Sequence, residues 1–114
     1  AAPGGGKILQ IVSNMAVETS AHDNGDGSAY ADVPDMTVTI TPTATTSKIL
    51  YMFNCSAHVY GSVQTFVQGV DSPSTTSATT YKIQAKRTGG SYFRFHDHGA
   101  GSNHLSSIAI EIGV

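Results

Sequence analysis

Nowhere does the chain keep apolar residues at the 3.6-residue spacing of a helix, and in several places it keeps them at a spacing of two. In Met36-Thr37-Val38-Thr39-Ile40 the apolar side chains alternate with threonine. In Tyr81-Lys82-Ile83-Gln84-Ala85 they alternate with Lys and Gln. A side chain on the same face every second residue is strand geometry, with one face buried and the other wet. Turn signals cut the sequence between these runs: Asn24-Gly25, Asp26-Gly27, Pro34, Pro42, Gly61, Pro73 and Thr88-Gly89-Gly90. Proline fixes its own φ, and Asn-Gly and Asp-Gly pairs accept positive φ.

Read between these signals, strands fall at 7–15, 29–33, 36–40, 48–60, 62–68, 81–85, 91–96 and 105–112. About eight short strands with little or no helix indicate an all-β, jelly-roll-like antiparallel β-sandwich. The first and last strands, both strongly apolar and far apart in sequence, are expected to pair in the middle of a sheet. Ile8, Leu9, Ile11 and Val12 fall on both faces of the first, which is therefore expected to be covered on both sides. In the last strand, Ile108, Ile110 and Ile112 are expected to face the core and Glu111 the solvent. The length of 114 residues suits one domain. Residues 7–114 are expected to form the sandwich and residues 1–6, with three consecutive glycines, a flexible arm.

Charge narrows the class of partner. Only 12% of the residues are charged, against about a quarter in an average soluble chain. Such a chain relies on hydroxyls for solubility or buries much of its surface against partners, and the second is expected here. A net charge of −2 gives no reason to expect nucleic acid. No apolar run is long enough to span a bilayer, so no membrane insertion is expected. Cys55, the only cysteine, sits in the apolar run from Ile49 and reads as a small buried hydrophobe.

The sharpest chemical constellation is His96-Asp97-His98. In an extended segment the two imidazoles lie on one face, and three such segments around a threefold axis would offer six to one transition-metal ion. A polar loop with surface histidines is the alternative. His104 is a third candidate ligand within one subunit. Tyr60, His96, His98 and His104 are the candidate binding residues of exposed loops. Asp23-Asn24-Gly25-Asp26-Gly27 faintly resembles a calcium loop but lacks the closing bidentate acid, and a plain turn is preferred. Tyr30, Tyr51, Tyr60, Tyr81 and Tyr92 either line a groove or pack the core and an interface. No Gly-x-Ser-x-Gly elbow and no phosphate-loop lysine occurs, and the chain is expected not to be an enzyme.

Four blocks resemble a family of small structural proteins of tailed bacteriophages, of the marine and cyanophage type. They are Gly6-Lys7-Ile8-Leu9-Gln10-Ile11-Val12; Met36-Thr37-Val38-Thr39-Ile40-Thr41-Pro42 with Thr46-Ser47-Lys48-Ile49-Leu50; Asp71-Ser72-Pro73 with Thr75-Thr76-Ser77-Ala78-Thr79-Thr80-Tyr81-Lys82-Ile83-Gln84; and Ser106-Ser107-Ile108-Ala109-Ile110-Glu111-Ile112-Gly113. They span nearly the whole chain, and the third is the most specific. The resemblance implies a virion structural or tail-fibre-like protein with a β-sandwich subunit assembled as a homotrimer, whose partners are capsid or tail proteins. It supplies no catalytic residue. The chain departs from the pattern between His58 and Asp71, where it is shorter, as though an outer hairpin were missing, and from His96 to His104. A receptor- or carbohydrate-binding adhesin of a tail fibre is the alternative function on the same scaffold.

Overall fold

A computed structural model gives the fold and describes residues 6–18, 22–23, 30–58, 62–85, 94–95 and 103–114. These residues form β1 (Lys7–Glu18), β2 (His22–Asp23), β3 (Ala31–Ile40), β4 (Lys48–His58), β5 (Ser62–Asp71), β6 (Thr79–Ala85), β7 (Arg94–Phe95) and β8 (Asn103–Gly113). The fold is all-β: two antiparallel sheets packed together as a jelly-roll-like sandwich. Two of the eight strands are only two residues long.

The larger sheet is built on β4. One edge of β4 pairs with β5 along its length; the other pairs with β8 and, near its end, with β7, which carries β2. β8 is sandwiched between β4 and β1, so the last strand is central, as expected, while β1 forms an edge. The smaller sheet is β3 paired with β6. β4 turns directly into β5, with residues 59–61 between them.

The core is the space between the sheets. Val33, Met36, Val38 and Ile40 of β3 meet Ile49, Phe53 and Cys55 of β4 and Leu105 and Ala109 of β8. Met36, Val38 and Ile40 face inward as their alternation predicts, and Tyr81, Ile83 and Ala85 pack against the same cluster. Cys55 is buried, and burial pushes its thiol pKa up.

Four readings of strand placement are corrected. Pro34 does not end a strand: β3 runs through it as a bulge, because the register with β6 slips between Asp32 and Thr37. Proline has no N–H to lose from a ladder, and Asp35 beside it takes φ 62°, a left-handed conformation that Asp tolerates better than most residues. β1 is not covered on both sides: Ile8, Ile11 and Met15 stand exposed on its outer face. β5 continues past Gln68 to Asp71. Finally, β8 has the opposite phase from that expected. Leu105, Ser107, Ala109 and Glu111 are buried, and Ile108, Ile110 and Ile112 lie on the outer face. The inward set is small at Ser107 and Ala109, which lets β3 pack closely across β8.

The phase of β1 is set by a second bulge. Ile8 pairs with Ile112 and Gln10 with Glu111, so Leu9 is the extra residue. Below the bulge Ile8 points outward; above it Gln10 points inward and Ile11 outward again. One inserted residue thus places two isoleucines outside and brings a glutamine to a buried carboxylate.

Candidate functional site: an apolar sheet face and the cleft beside it

The outer face of the larger sheet can be read in cross-strand rows. Ile11, Ile110, Leu50 and Val70 form one row across β1, β8, β4 and β5. Ser13, Ile108, Met52 and Gln68 form the next, and Met15, Ser106, Asn54 and Phe66 the third. Ile8 and Ile112 extend the face toward the bulge. Twelve positions in three rows contain no charged residue; Lys48, beside Ile112, stands at the margin. Ile11, Met15, Phe66 and Val70 are each more than half exposed. With strands about 4.8 Å apart and about 3.3 Å per residue, this face covers on the order of 400 Å² in projection. Eight of the twelve positions are apolar, and a patch of this size, about that of the largest apolar patch on a typical monomer, is a candidate interaction surface.

Between β4 and β5 of the larger sheet and β6 of the smaller there is a cleft of about 470 Å³. Tyr51, Phe53 and Val67 form its floor, and Tyr81, Ile83 and Asp71 line its side. Its architecture depends on Gly69. Tyr51 pairs across the sheet with Gly69, and its ring lies over that glycine, so a Cβ there would fall on Tyr51 Oη and within 2.5 Å of Cζ. The Tyr81 ring stacks on Tyr51 with centroids 5.4 Å apart and planes 22° apart. Tyr81 Oη then donates to Asp71 Oδ2 at 2.7 Å. Burial, and after it the bond to the Asp71 carboxylate, holds the Tyr81 phenol well above the usual tyrosine range. Of the tyrosines considered for a groove, Tyr51 and Tyr81 therefore do line one while also packing against each other.

Replacing Tyr81 with Phe is expected to lower stability by about 1–2 kcal/mol, the worth of a hydrogen bond to a charged group. Urea unfolding at a fixed protein concentration would measure it. Alkaline titration of the wild type by ultraviolet absorbance should also show a tyrosine that resists ionisation and is lost in the variant.

Two further acids of the described strands, Asp32 and Glu111, serve local contacts. Asp32, on the wet face of the smaller sheet, accepts from Gln84 Nε2 at 2.7 Å and lies 3.2 Å from Lys82 Nζ. The Gln84 bond, then Lys82, lowers its pKa. Glu111 is fully buried. Its Oε1 accepts from Gln10 Nε2 at 2.8 Å, and its Oε2 accepts from the Thr43 backbone N–H at 2.7 Å and Thr43 Oγ1 at 2.9 Å. Gln10 Nε2 also donates to Thr41 O at 2.7 Å. Burial pushes this carboxyl up, but the surrounding donors outweigh it and hold the pKa at about 2. The Ser47 hydroxyl faces the same group. It closes no hydrogen bond of acceptable geometry, so the bonded donors Gln10 and Thr43 are assigned the larger part of the stabilisation.

Among the residues singled out from sequence, Tyr60, His96 and His98 lie outside the described residues, as do most of the Asp23–Gly27 loop and Thr88-Gly89-Gly90. His104 is in β8, paired with Val17. Among the described residues no three His, Cys, Asp or Glu side chains gather as a metal centre requires. The outer face is hidden in the sequence because Ile108, Ile110 and Ile112 have the pattern of a core-facing set. The cleft had one sequence signal, a glycine inside a strand pattern, which marks a bulge or a close approach. No protein-family model, curated protein or solved structure matches the chain.

Proposed function

We propose that this chain is a non-enzymatic structural protein on the exterior of a tailed-phage virion, assembled as a homotrimer. It serves there as a capsid decoration or cement subunit or as the head of a fibre, and its further partners are capsid or tail proteins. The resemblance of the four blocks supports the phage assignment. The observation that carries the assembly reading is the uncharged apolar face of the larger sheet, which a free-standing monomer would leave in water. In light scattering the protein is expected at three times the chain mass of 11.9 kDa. Metal analysis on the same peak tests the axial His96 and His98 pair: one transition-metal ion per three chains would place them on the threefold axis. A monomer with no affinity for purified capsids or tails of the encoding phage would overturn the reading.

A second reading, a receptor- or carbohydrate-binding adhesin on the same scaffold, is favoured by the cleft, where two tyrosines and Asp71 sit beside an open apolar floor. A glycan array probed with wild type and with Tyr81→Ala would test it; silence from both would remove it.

A further inference from the structure

Resting on the assembly proposed above, we infer that the outer face of the larger sheet is turned to the rotation axis and covered by the same face of two further copies. Three sheets thereby enclose a second apolar core. Charge limits the occupant. Any surface that covers Ile11, Ile110, Leu50, Val70, Ile108 and Met52 must itself be free of charge, because an unpaired charge buried there would be costly. The same face of another copy meets that condition at every row.

The dimensions accommodate the three copies of the proposed assembly. Four strands about 4.8 Å apart make a wall about 19 Å wide. Three such walls set as a triangular prism place each sheet about 5–6 Å from the axis. That is half the spacing of about 10 Å at which packed sheets fill the space between them with side chains. The prism is therefore closed by side chains, with neither a channel nor a clash. β8 and β4 are the inner strands of each wall, so Ile108, Ile110, Leu50 and Met52 lie nearest the axis. β1 and β5 are its edges, so Ile11 and Met15 of one copy approach Val70 and Phe66 of the next at each corner.

The test uses positions the single chain leaves exposed, Ile11 at 62% and Val70 at 60%, where a lysine does not disturb the subunit's own core. Ile11→Lys and Val70→Lys are each expected to weaken association at least about 100-fold and give monomers, with the strand circular dichroism unchanged. Thr45→Lys, on an exposed turn, is the control and is expected to remain a trimer. Sedimentation equilibrium over a concentration series reads all four proteins. Lysine variants that stay trimeric would overturn the inference while leaving the assembly reading intact. A wild-type dimer would overturn the threefold core. A wild-type monomer that still binds capsids or tails would overturn the inference alone, and one that binds neither would overturn both.

Discussion

Replacing Glu111 with Ala is expected to cost about 4 kcal/mol, and with Gln about 2 kcal/mol. The buried carboxylate accepts from three donors at the rim of the core: the Gln10 amide, the Thr43 backbone N–H and the Thr43 hydroxyl. Alanine leaves the Thr43 N–H and one N–H of the Gln10 amide without their acceptor, the other still donating to Thr41 O, and each stranded donor costs about 1–3 kcal/mol. Glutamine restores one oxygen but turns an NH₂ group toward either the Gln10 NH₂ or the Thr43 N–H, neither of which can accept from it. Acid reveals the same contacts in the wild type. The folded pKa of about 2 lies below the ordinary value of 4.5. The contribution is therefore fully present above about pH 4.5 and is lost as pH falls through about 2. It is on the order of 2 kcal/mol once screening by nearby water is allowed for. Urea unfolding at pH 7, 4 and 2.5, followed by far-ultraviolet circular dichroism at one protein concentration, would measure it. The gap between wild type and Glu111→Gln should hold down to about pH 4.5, begin to narrow at pH 4 and be largely lost at pH 2.5. A constant gap would mean that the carboxylate's charge contributes nothing.

The Glu111 contacts also show where sequence pattern succeeds and where it fails. β3 and β6 were legible because their outward residues, Thr37, Thr39, Lys82 and Gln84, are polar and their inward ones apolar, so only one register buries the apolar set. In β8 both sets are regular. Ile108, Ile110 and Ile112 make the better hydrophobic pattern, yet Leu105, Ser107, Ala109 and Glu111 are the buried ones. Two facts absent from the local pattern decide this. The bulge at Leu9 turns Gln10 inward, where it meets Glu111, and Thr43 supplies a backbone N–H from the connection between β3 and β4. A buried carboxylate with three donors is compatible with the core, and the isoleucines are then left outside. The best apolar set of β8 thus faces away from its own core, and the assembly proposed above rests on that observation. The low charge content raises the expectation of burial against partners, and in the assembly proposed above the outer face of β8 is the surface that expectation concerns.

Replacing Gly69 with Ala is expected to cost about 2–3 kcal/mol, against the ordinary rule that Gly→Ala within a strand is favourable. The backbone at Gly69 has no left-handed φ, so alanine is acceptable there by itself. The cost is carried entirely by Tyr51, whose ring end occupies the position of the new methyl group. Tyr51 cannot swing away freely, because Tyr81 stacks on its other side and Tyr81 is fixed by Asp71. Moving Tyr51 therefore loosens the contact that joins β6 to the edge of the larger sheet. A double-mutant cycle isolates this: in a Tyr51→Leu background the penalty of Gly69→Ala should vanish or change sign, a coupling of about 2 kcal/mol or more. An unchanged penalty in that background would place the strain in the backbone instead. The same variant separates the two faces of the sheet. Tyr51 points into the sandwich, whereas its neighbours Leu50 and Met52 point out of it. Gly69→Ala should consequently lower the urea midpoint while leaving the association constant of the chains unchanged. Ile11→Lys should do the reverse. If both substitutions moved both quantities together, the outer face and the inner core would be one cooperative unit, with subunit folding and assembly inseparable.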